Sequence, residues 1–68
     1  MNAKEFLERF GREEAERVAA LSGTNYAYFS QLAYGHRRPS VDLAERLVAA
    51  SDGRLDFTKL LLKAETAA

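Results

Sequence analysis

Apolar residues recur at helical spacing along most of the chain, and no stretch alternates as a strand would. Phe6 and Phe10 stand four apart within residues 3–10, which predicts a first short helix on that face. Val18, Ala19 and Ser22 fall at i, i+1 and i+4 on the packed side of a second helix over 13–22. Glu13, Glu14 and Glu16 in its first turn suit the positive end of the helix dipole. Phe29, Leu32 and Ala33 give the core face of a third helix over 26–34, with Asn25 as its N-cap. Leu43, Ala44, Leu47 and Val48 stripe a fourth over 41–51, capped by Ser40. Asp56 caps a fifth over 57–63 that carries Phe57, Leu60 and Leu61, and residues 64–68 are expected to fray.

The connections agree with that division. Gly11, Gly23, Gly35 and Gly53 stand where the helices should stop, because glycine takes the left-handed conformation past a helix end without a Cβ penalty. Pro39 disfavours helix at Arg38, so His36-Arg37-Arg38-Pro39 is a loop. The predicted fold is all-α, five short helices in one domain over residues 1–68.

Composition narrows the functions. Sixty-eight residues allow one small domain, which buries only about 60% of the surface its unfolded chain exposes. With 47% hydrophobic and 29% charged residues, the chain has the makings of a folded core. The absence of cysteine excludes a disulfide framework, a thiolate metal site and a Cys nucleophile, and suits a reducing cytoplasm. His36 is the single histidine, so metal sites that need two imidazoles are excluded. No apolar run approaches the ~18 residues of a membrane helix, and Glu5 and Glu8 interrupt any signal-peptide core. Each glycine is solitary, so there is no phosphate-cradling loop, and Ser30 has no general base in view. Glu13, Glu14 and Glu45 read as solvated helix charge. No enzyme, cofactor, metal or small-molecule ligand is expected; a binding module is.

The helix over 26–34 carries the chemistry. Ala27, Ser30, Gln31 and Tyr34 lie at i, i+3, i+4 and i+7 opposite the core stripe, and that face holds no charge. A solvated face is ordinarily built from Glu and Lys. An amide, a hydroxyl, a methyl and a phenol instead suit base edges. The alternative is that Tyr26, Tyr28 and Tyr34 form a half-buried aromatic cluster and nothing more. Charge pattern favours contact with nucleic acid: the total is zero, yet no acid occurs between Glu16 and Asp42, a window holding Arg17, His36, Arg37 and Arg38. Arg37 and Arg38, with His36 and Tyr28, would grip phosphates while Asn25, Tyr26, Ala27, Ser30, Gln31 and Tyr34 face the bases.

The run from Val18-Ala19 through Ser22-Gly23-Thr24-Asn25 and Phe29-Ser30-Gln31-Leu32 to Gly35 resembles the helix-turn-helix of the Cro/C1-type phage repressor family. Its pattern places a small residue, here Ala19, four before the turn glycine, here Gly23. A cap at Asn25 follows, then apolar residues at Phe29 and Leu32. The continuation Gly35-His36-Arg37-Arg38-Pro39-Ser40 is similar to a prophage-associated, Cro-like or antitoxin-like branch, and the likeness spans about Phe6 to Leu61. Many members carry a glutamine at the first position of the preceding helix, here the one over 13–22, that braces the recognition helix against a phosphate; in this chain that place is Ala15. The often bulkier aliphatic of the turn is Thr24.

The resemblance implies a sequence-specific regulator of double-stranded DNA that works as a homodimer on a palindromic operator. A helix of nine residues is about 13 Å long and reads few base pairs alone. Leu55, Phe57, Leu60, Leu61 and Leu62 crowd the C-terminal end, more than one helix face can bury, so Leu55, Phe57, Leu61 and Leu62 are the expected dimer surface. The competing reading is a helical module whose partner is a protein.

Overall fold

The structure, a computed structural model, describes residues 1–61. Four helices follow in order: α1 Ala3–Leu21, α2 Tyr26–Ala33, α3 Val41–Ala50 and α4 Phe57–Leu61. The described residues hold no strand, so the all-α expectation stands. The expected count of five does not. The first two expected helices are the two arms of α1, a single element broken at Gly11 (φ 87, ψ 175).

The break has a clear cause. Phe6 and Ala15 are both buried, yet nine helical steps of 100° would set them about half a turn apart. Only a backbone turn between them brings both to one core, and Gly11 supplies it from a region that L residues rarely enter. Asn2 starts α1 with a reciprocal cap: its Oδ1 accepts from the Glu5 amide at 2.8 Å, and its own amide donates to Glu5 Oε1 at 2.9 Å.

The other helix starts fall where the sequence put them. Asn25 Oδ1 accepts from the Tyr28 amide at 2.9 Å. Ser40 Oγ accepts from Leu43 at 3.1 Å. Asp56 Oδ1 accepts from Thr58 at 2.9 Å. Three helices end in the same double closure: the Thr24, His36 and Gly53 amides reach back to the Ala19, Gln31 and Val48 carbonyls, at 2.9 Å each.

The core gathers Phe6, Val18, Phe29, Leu47 and Leu55, all fully buried. Phe6 and Phe29 pack across α1 and α2 with ring centres 5.9 Å apart and planes tilted by 59°. Each such buried side chain contributes about 1.5–3 kcal/mol relative to exposure. Ser22 and Ser51, both buried, satisfy their hydroxyls locally: Ser22 donates to Val18 O at 2.6 Å and Ser51 to Val48 O at 3.0 Å. Asp56 N donates to Met1 O at 2.9 Å, so the segment before α4 is held against the start of the chain.

One expectation for the C-terminal end is corrected by the structure. Leu55, expected at a dimer surface, is 1% exposed and belongs to the core, because the loop Ser51–Asp56 turns it inward. Of the other expected surface residues, Phe57 is 37% exposed and Leu61 is half-buried against the core. Leu62 and the tail over 64–68 lie outside the described residues. None of the described helices is long and apolar enough to cross a membrane.

Candidate nucleic-acid interface

α2 is held by a short turn and a deep anchor. Gly23 N donates to Ala20 O at 3.1 Å, which closes α1 and lets Asn25 begin α2 three residues after Ser22. From α3, Arg46 Nε donates to the Ser22 carbonyl at 2.8 Å and fixes the turn from behind. Phe29, Leu32 and Ala33 are buried as expected, and α2 packs chiefly on α1. That orientation leaves Ala27, Gln31 and Tyr34 on the outside, with Ser30 half-buried among them. Tyr34 is 58% exposed. The outer face therefore holds no charged side chain.

Tyr26 and Tyr28 are half-buried and packed against the core, so their rings serve the fold first. Each nevertheless carries a cation. The Arg12 guanidinium lies 4.5 Å from the centre of the Tyr26 ring, and that of Arg37 lies 5.5 Å from the Tyr28 ring. Asn25 is exposed, but its carbonyl oxygen is engaged in capping.

The chain then reverses at Gly35 (φ 80), where a left-handed residue is required. His36 N bonds to Gln31 O at 2.9 Å, which folds the following loop back along the last turn of α2. As a result Arg37 Nε donates to Gln31 Oε1, a contact between side chains six residues apart. His36, Arg37 and Arg38 are all exposed, whereas Pro39 is buried and anchors the loop.

The electrostatics separate the arginines. Arg12 pairs with Glu16 at 2.9 Å, Arg17 with Glu14 at 2.5 Å, Arg46 with Asp42 at 2.5 Å and Arg54 with Glu14 at 2.7 Å. Arg9, Arg37 and Arg38 have no carboxylate partner among the described residues; Arg9 lines a hollow with Met1, Glu5, Glu8 and Lys59, whereas Arg37 and Arg38 follow directly on α2. Arg17, counted from the sequence in the basic window, is neutralised and does not belong to it. Glu14, expected to be a solvated charge, binds two guanidinium groups instead. Arg17 first and Arg54 second hold its carboxyl at about 2.

Ala15, the place of the bracing glutamine, is buried and can touch no phosphate. Arg12 was not singled out by the sequence, because nothing local relates position 12 to position 26. It stands at the N-terminal end of α2, over Tyr26. Two shallow hollows, one around Leu21, Ala49 and Ala50 and one around Met1, Glu8 and Lys59, include no residue of α2. No group of three or more potential metal ligands occurs among the described residues. Comparison with protein-family models, with curated proteins and with solved structures finds no match to the chain.

Proposed function

We propose that this chain is a sequence-specific, double-stranded-DNA-binding regulator of transcription, built as a helix-turn-helix in which α2 enters the major groove. One observation carries the reading: the exposed face of α2 is uncharged and is bordered by Arg37 and Arg38, cations without a carboxylate partner among the described residues. Uncharged polar groups read base edges, and unneutralised cations beside them are free to meet the acceptors of the duplex, phosphate oxygens or base edges. Ala27, Ser30, Gln31 and Tyr34 then face the bases, with Asn25 and Tyr26 at the entry of the helix. Arg38 and His36 lie at the phosphates beyond its end. The second arm of α1 crosses above, as the first helix of this motif does.

The likeness to Cro/C1-type repressors adds a repressor role and a palindromic operator bound by a homodimer. A second reading, a module that binds another protein, draws on Leu21, which is 63% exposed beside Ala49 and Ala50. A salt titration of binding to random duplex DNA separates the two. A DNA-binding chain loses affinity steeply and linearly in log-log form as salt rises, and a protein-binding module shows no duplex affinity at any salt.

A further inference from the structure

We infer that Gln31 and Arg37 form one reading unit, in which Gln31 orients Arg37 to contact a guanine in the major groove, so that Arg37 determines specificity and does not grip a phosphate. The inference rests on the DNA-binding reading and refines it.

Three features of the geometry point there. First, Gln31 Oε1 takes the Nε edge of the Arg37 guanidinium. The outer edge, with both terminal nitrogens, keeps its donors, since no other acceptor for Arg37 occurs among the described residues. Those two donors match the O6 and N7 acceptors of guanine, the most common bidentate contact of an arginine in the groove. Second, the Tyr28 ring lies 5.5 Å from the guanidinium carbon and limits the positions the side chain adopts. A guanidinium bonded at one edge and backed by a ring is pre-organised, so less rotamer entropy is lost on contact. Third, the reversal at Gly35 places Arg37 alongside α2, not beyond its tip. Arg38, next in sequence, has no such restraint among the described residues.

The Gln31 amide keeps its NH2 donors while its oxygen is engaged. The pair therefore presents donors only, which selects acceptor-rich edges and disfavours cytosine and the adenine amino group at that step.

The test is selection of bound duplexes from a random pool, followed by affinities of the wild-type protein, Arg37→Ala, Arg37→Lys and Gln31→Ala on the chosen site and on its single-base variants. Thermal melts serve as the folding control, since both side chains are exposed. The expected result is a wild-type preference for guanine at one position of about 5-fold to 150-fold. Arg37→Lys keeps the charge but loses the fork, so the preference should vanish while the salt slope holds. Gln31→Ala should reduce the same preference. If Arg37→Lys binds with unchanged base preference and Arg37→Ala weakens all sequences alike, Arg37 is a phosphate contact and the inference is overturned, with the DNA-binding reading intact. If no duplex is selected, that reading falls and the inference with it.

Discussion

Arg54 donates to the Glu14 carboxylate at 2.7 Å, an ion pair between residues 40 positions apart in the chain. The same guanidinium lies 5.0 Å from the Phe6 ring centre and 4.6 Å from that of Phe10, and its Nε donates to the Ser51 carbonyl at 2.8 Å. Arg54 thereby spans the break in α1: Glu14 belongs to one arm, Phe6 and Phe10 to the other. Its planar head covers the buried Phe6 ring and the partly exposed Phe10 ring. The loop after α3 thus holds the two arms at their angle, and with them the seat of α2.

This arrangement makes stability depend on acid in a stated direction. Glu14 sits at about 2 in the folded chain because Arg17 and Arg54 bond its charged form. Unfolded glutamate titrates at about 4.3, so the contribution is complete above that pH and is lost as pH falls toward 2. Glu5, lowered chiefly by its bond to the Asn2 backbone, responds in the same direction. Glu14→Gln isolates the first group. Its melting temperature should lie below wild type near neutral pH, and the gap should close on acidification and narrow at high salt. A gap that stays constant with pH would mean that Glu14 acts by shape and not by charge.

Gly11→Ala should destabilise the fold by about 1–3 kcal/mol in urea denaturation. A Cβ there would meet nothing within 4 Å, so the effect comes from the backbone conformation and not from collision. A variant that gained both stability and helical ellipticity would show that α1 prefers to be straight. Phe6 and Ala15 would then have to be buried in some other way.

What the sequence made legible was local. Asn25, Ser40 and Asp56 cap through contacts two or three residues away, and the stripe Phe29, Leu32, Ala33 follows from helix periodicity alone. The uncharged outer face of α2 follows from the same wheel. Pairings that depend on how helices pack were not legible: Glu14 with Arg54, and Arg12 over Tyr26. Leu55 was misassigned because its inward turn is set by the loop Ser51–Asp56, where no periodicity applies. Gln31 and Arg37 lie between these cases. They are six residues apart, and only the reversal at Gly35 brings them together.

Arg38 should behave as a pure affinity residue. It is exposed, and no side chain among the described residues orients it. Arg38→Ala should weaken binding to preferred and random duplexes by the same factor and flatten the salt dependence by about one unit of slope. A change in base preference at any position would show instead that the loop enters a groove at Arg38.

Assembly on DNA is constrained by the length of α2. α2 has eight residues and spans about 12 Å, enough for a few base pairs, so the proposed operator specificity calls for two copies related by symmetry. With Leu55 inside the core, the described apolar surface at this end reduces to Phe57, 37% exposed, and the half-buried Leu61. That is a small patch, which favours a weak dimer completed on the operator over a tight one in free solution. The two residues should separate cleanly on substitution. Leu55→Ala removes a fully packed side chain and should lower stability by about 2–5 kcal/mol, whatever the DNA does. Phe57→Ser should leave the melting temperature closer to wild type yet shift the stoichiometry on a selected duplex from two chains toward one. Sedimentation of the protein with and without that duplex decides the matter. One chain per duplex at saturation, on a site without dyad symmetry, would refute the dimer and confine the reading to a single major-groove contact.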